Sequence, residues 1–275
     1  GSPLLSQVNP VAHLNEAIRW FDCWLKEKDN GIAEEPPVTV HVLGSDTWKF
    51  ERAWPPEDSR EKVFHLQSSG EMEECPNSSE ATLEYKHDPM TGLCAGLMTV
   101  YPLGIDYPKE QTEDDARSLI FDTAPLPEAL EIAGESTLLL TLSTDMPDAA
   151  ITAKLCDVAA DRRSTFITSG WLRLSHREGH ETPSPPASGE TYKIRIEMWP
   201  IDYLIQAGHR LRLAISLSDF PRVFPLPHQG KIRLHFSPEG IQRLSLRVVP
   251  TGRVLDPTPE LATADLSILE GVEFE

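Results

Sequence analysis

The 275-residue chain carries 43 acidic against 25 basic side chains, a formal charge of −18, with 40% hydrophobic residues. That supports a core for one large or two modest domains. It argues against a nucleic-acid or anionic-membrane partner, since phosphate binding relies on clustered Lys and Arg. No stretch approaches the ~20 apolar residues needed to span a bilayer. Neither a basic n-region nor an apolar h-region marks a secretory leader, so a cytoplasmic location is expected. Gly1-Ser2 reads as the scar of a cleaved tag, which would make the chain a piece of something longer.

The first predicted element is a helix over Asn9–Lys28. Its apolar positions Val11, Leu14, Ile18, Phe21 and Leu25 step by three and four into one stripe, widened by Ala17, Trp20 and Trp24. Such a helix needs partners on two sides, and few other helices are encoded. These five stripe residues are the candidate interface, for a neighbouring domain or for a second copy of the chain.

Strand signals follow at once. Val38, Val40 and Val42 alternate with Thr39 and His41. Trp48 and the Trp54-Pro55-Pro56 run suggest an ordered loop pinned by aromatic burial. Lys62–Leu66 alternates again. From Ser68 to Asp115 the signal weakens, with one short strand at Ala81–Tyr85. The acidic groups Glu71/Glu73/Glu74 and Glu113/Asp114/Asp115 read as solvated loop charge, without the ligand spacing of a calcium loop.

Beyond Arg117 strands are expected at Ser118–Asp122, Thr137–Ser143, Ile151–Val158, Thr165–Ser175, Tyr192–Trp199, Leu211–Leu217, Lys231–Phe236 and Arg243–Val249. Pro- and Gly-rich turns separate them, and no helical periods intervene. Ile194/Ile196/Met198 against Lys193/Arg195/Glu197 shows one buried and one wet face. The expected fold is mainly β, an antiparallel jelly-roll sandwich of the galactose-binding-domain type preceded by the helix.

No catalytic signature appears. G-x-S-x-G is missing, and Gly134-Glu135-Ser136-Thr137-Leu138 lacks the second glycine. H-E-x-x-H, a P-loop and G-x-G-x-x-G are also absent. The nine histidines show no metal-ligand spacing, so no cofactor, metal or catalytic residue is assigned. Cys23, Cys75, Cys94 and Cys156 form no C-x-x-C pair and read as buried free thiols. His209, Ser218 and Asp219 combine triad residue types. About nine residues of strand separate the histidine from the aspartate, too far for contact at ~3.4 Å per residue.

Several segments together carry a family resemblance. They are Arg19–Lys26, Asp29-Asn30-Gly31, Pro36–Gly44, the Trp54-Pro55-Pro56 loop, Leu119–Leu126, Leu155–Val158, Gly170–Arg173, Gly208–Leu213 and Ser218–Arg222. In order and spacing the chain resembles the C-terminal part of the cocaine esterase and X-Pro dipeptidyl-peptidase serine hydrolases, peptidase family S15. The resemblance implies a parent with an α/β-hydrolase domain, a helical cap and a C-terminal jelly roll. It implies that the triad precedes this region, so none of its members carries over. Residues 1–35 would then be the helix and linker ending the catalytic domain, and 36–275 the jelly roll. The chain departs from the family at Val223–His228 and at the Asp161-Arg162-Arg163 turn.

The leading expectation is therefore a non-catalytic module, inactive alone, that packs on the catalytic domain and shapes its active-site entrance. A free-standing carbohydrate-binding module is the alternative, with Trp48, Trp54 and Trp171 as candidate stacking residues. A dispersed acid/base pair of the glycosidase kind is the third reading, since the acidic loops supply carboxylates freely.

Overall fold

The computed structural model describes residues 10–45, 47–76, 79–94, 110–238 and 241–250; the side chains of residues 10–13 are excepted. Helix α1, Pro10–Lys26, opens the chain and leads through a 3-10 turn at Ile32–Glu34 into β1, Val38–Val42. β1 pairs antiparallel with β2, Thr47–Glu51, in a hairpin of its own. β2 corrects the expected loop. Its Lys49 is a charged residue at an inward position, so alternation of hydropathy conceals the strand.

A seven-stranded antiparallel sheet is built around β7, Leu130–Thr144, which has fifteen residues. One edge of β7 pairs along its length with the equally long β10, Thr191–Ile205. The other edge is shared by β13, Arg243–Val249, and β12, Lys231–Phe236. β3, Arg60–Leu66, and β4, Met72–Glu73, extend the sheet beyond β13; β5, Ala81–Lys86, extends it beyond β12. A second sheet has four strands in the order β6, Leu119–Asp122; β11, Arg210–Ser216; β8, Ala150–Val158; β9, Ser164–Arg173.

Both sheets supply one continuous apolar core. Leu138, Leu140 and Leu142 of β7 join Ile194 and Ile196 of β10, with Leu244 and Leu246 of β13. They pack with Ile151, Ala153 and Leu155 of β8 and Leu211, Leu213 and Ile215 of β11. Each set obeys the two-residue period of a strand, and each fully buried Leu or Ile contributes roughly 1.5–3 kcal/mol. Where β9 crosses β10, a Cβ on Gly170 would lie 2.2 Å from the Glu197 carbonyl oxygen. Only glycine permits that approach.

β10 runs past Trp199, the expected end, because Pro200 sits within a register shift between Met198 and Ile201. A proline is tolerated at a bulge, where no ladder hydrogen bond is due. β7 likewise begins seven residues before the expected Thr137. β8 is buried along its whole length, although one face alone should be. Its outward side chains Thr152, Lys154 and Cys156 lie beneath a second, polar layer of loops.

Candidate functional site

That polar layer is assembled from three stretches of chain. The Lys154 ammonium, fully buried on β8, donates to Gln111 Oε1 at 3.0 Å and to Asp219 Oδ1 at 3.3 Å. The other oxygen of Asp219 meets Arg222 Nη2 at 2.5 Å, and the Arg222 guanidinium lies 4.7 Å from the Phe166 ring centroid. Two backbone bonds between Asp219 and Val223 close the turn that presents these groups. A buried ammonium held by a carboxylate and a neutral amide is a positional clamp, since loss of the carboxylate would leave a bare buried charge.

The neighbouring loop is tied in the same way. Helix α2, Thr112–Asp115, is a single turn whose buried Asp114 accepts backbone N–H bonds from Gly92 at 2.8 Å and Cys94 at 3.2 Å. Phe220 N donates to Thr91 O. Gly92 adopts φ +98°, and a Cβ there would lie 2.3 Å from Phe220 N. Asp115 pairs with Arg212 Nη1 at 3.0 Å, and Asp122 holds the same guanidinium at 2.7 Å. Asp114 and Asp115 are therefore structural and buried, while Glu71, Glu73, Glu74 and Glu113 are exposed as expected. Residues 95–109, which complete the irregular segment, lie outside the described residues.

The described cysteine, serine and histidine of this layer are held in structural contacts. Cys156 is fully buried, and desolvation, aided by Asp115, pushes its thiol up to about 12. Cys75 and Cys94 are exposed and Cys23 half-buried, so only Cys156 fits the expected burial of the thiols. His209 and Asp219 take different partners. His209 Nδ1 donates to Asp157 at 2.7 Å, and the Tyr203 hydroxyl donates to the other Asp157 oxygen at 3.2 Å. Burial beside that carboxylate raises the Tyr203 phenol further above its ordinary range. Ser218 Oγ donates to the Asp88 carbonyl oxygen. Among the described residues no group of three or more His, Cys, Asp or Glu could hold a metal ion.

The candidate interface residues behave differently. Leu14 is 48% exposed, Phe21 55% and Leu25 74%; Ile18 is half-buried, and the Val11 side chain lies outside the described residues. Trp20 and Trp24, also exposed, meet at a tilt with ring centroids 5.6 Å apart. The opposite face of α1 is tied down: Arg19 bridges Glu16 at 2.8 Å and Glu35 at 2.7 Å, and Asn30 Nδ2 donates to Arg19 O. The polar face is anchored to the linker and the apolar face is open. Of the three candidate stacking tryptophans, Trp171 is exposed, whereas Trp48 is half-buried edge-on against His41 and Trp54 is half-buried. No described helix is long and apolar enough to cross a membrane.

Comparison with known proteins relates the chain to parts of longer hydrolases. The cocaine esterase of a Rhodococcus species is 28% identical over 215 residues, covering 74% of this chain and 38% of that enzyme. An aminopeptidase from a marine-sediment archaeon superposes with a TM-score of 0.72 at 20% identity, over 85% of this chain and 43% of the other. A CocE/NonD family hydrolase from Staphylococcus aureus gives 0.67 at 19% identity, over 86% and 46%. The chain spans about two fifths of the length of the curated relatives it matches. The profile of one family, the X-Pro dipeptidyl-peptidase C-terminal non-catalytic domain, matches residues 30–247. The chain belongs to that family.

Proposed function

We propose that this domain completes a serine hydrolase acting on an ester or an X-Pro peptide bond, by docking on an α/β-hydrolase domain of the same polypeptide. The observation that carries the proposal is the open apolar face of α1, with Leu14, Phe21, Leu25, Trp20 and Trp24 unshielded. Contiguous apolar surface of that kind marks an interaction site. In this reading residues 1–35 end the catalytic domain and 36–275 form the sandwich, a jelly roll of the galactose-binding type. The two antiparallel sheets around one core support that topology. The Lys154–Asp219–Arg222 clamp and the Asp114 loop then form a stiff platform beside the active-site entrance. A rigid scaffold presenting loops is the usual way a non-catalytic domain shapes a neighbour's pocket.

An immunoblot of the source cells, with antiserum raised against this chain, tests the reading. It predicts a band at least twice the 30.7 kDa of the chain. A band at the chain's own mass would refute it.

A further inference from the structure

A turn outside both the platform and α1 carries an arrangement of different chemistry. After β9 the chain forms a 3-10 turn, Leu174–His176, which is strongly braced. Asp148 accepts the Ser175 backbone N–H at 3.0 Å, the Ser175 hydroxyl at 2.7 Å and Arg173 Nε at 2.6 Å. Arg177 Nη1 donates to the Leu174 and Ser184 carbonyls, and its guanidinium lies 4.3 Å from the Tyr192 ring centroid. Gly179 N donates to His176 O, which folds the next residues back.

This turn holds His176 and His180, an H-x3-H pair that corrects the expectation of no histidines at metal-ligand spacing, with their rings facing one another. His176 Nδ1 and His180 Nδ1 are 3.2 Å apart, with ring centroids at 5.2 Å. At that separation one ring nitrogen can donate its proton to the other, or both can face a shared cation. A tetrahedral zinc ion with Zn–N near 2.0–2.1 Å sets its ligand nitrogens about 3.3 Å apart. The observed separation therefore suits an ion as well as a shared proton. Both side chains reach solvent, so an ion has access. The turn lies where β10 begins, with Thr191 opposite Ser143, at the far end of the β7–β10 ladder from the β1–β2 hairpin beside Tyr203.

We propose that His176 and His180 form a two-histidine site for a divalent transition-metal ion of the zinc class, with water in the remaining coordination positions. Imidazole suits borderline metals, and a bidentate pair gains from the high effective concentration of its second ligand. No covalent step is involved.

The test is calorimetric titration of zinc chloride into the tag-free chain carrying Cys75→Ser and Cys94→Ser, which removes two exposed competing thiols. The proposal expects one saturable ion per chain. His176→Ala or His180→Ala should each weaken binding roughly tenfold or more, while His228→Ala leaves it unchanged. Because both histidines reach solvent, the thermal midpoint of the metal-free variants should match that of the parent chain. Absence of saturable binding would overturn the site. So would unaltered affinity in the double variant His176→Ala/His180→Ala.

Discussion

β8 and α1 stand at opposite extremes in how they treat residues that dislike their surroundings. On β8 even the outward side chains are enclosed, and the one cation among them, Lys154, finds an amide and a carboxylate. On α1 the polar face is bound to its own linker while two tryptophans, a phenylalanine and two leucines stand open. A charge enclosed at that cost of desolvation indicates a region whose packing is complete within the chain. An uncovered aromatic stripe indicates a region whose packing is completed elsewhere.

The largest expected effect probes the enclosed side. Asp219→Ala strands both Lys154 and Arg222 and should cost about 3–5 kcal/mol in urea unfolding. Lys154→Met, which removes the cation instead, should cost clearly less. Equal losses would mean that the clamp is not the source of the effect.

A second enclosed charge adds a pH test. Lys49, fully buried on β2, meets Asp202 Oδ2 at 2.8 Å and Glu51 Oε1 at 3.4 Å, and also pairs with Glu131. Desolvation outweighs the pull of Lys49 and raises the Asp202 carboxyl from 3.8 to about 6. Between those values the folded state holds a proton that the unfolded state has released. Stability from this group is therefore greatest below 3.8 and falls as pH rises towards 6. Relative to Asp202→Asn, the natural chain should lose on the order of 2 kcal/mol between pH 4 and pH 7. A difference independent of pH would remove Asp202 as a titrating group.

A smaller gain is expected at the β8–β9 turn. Arg162 adopts φ +70°, a left-handed conformation that suits glycine. Arg162→Gly should stabilise the chain by about 0.5 kcal/mol, the relief of strain outweighing the added freedom of the unfolded state. The smallest effect belongs to α1. Phe21→Glu or Trp24→Glu should shift the unfolding free energy of the isolated chain by less than about 0.5 kcal/mol. A loss above 2 kcal/mol would show that α1 packs within the chain and erase the contrast.

Much of the sandwich was legible in the sequence. β12 and β13 begin and end as the alternation of their side chains predicts, since one face meets core and the other water. β2 escaped notice because Lys49 occupies an inward position. The first half of β7 was hidden because Gly134, Glu135 and Ser136 interrupt the run of strand-forming residues, yet Gly134 pairs with β10 and Ser136 with both β10 and β13. The stripe of α1 was plain from its spacing. The platform was not, because Gln111, Lys154 and Asp219 meet across 108 residues and no local pattern records such contacts. Asp114 and Asp115 looked like surface charge for the same reason. Their partners, Gly92 and Arg212, are remote in sequence.

The most direct test of the account is active-site labelling with a fluorophosphonate probe, applied side by side to the isolated chain and the full-length parent. The account predicts a labelled serine in the parent that maps outside this domain, and no labelling of the isolated chain. Stoichiometric labelling of any serine between residues 36 and 250 would contradict it.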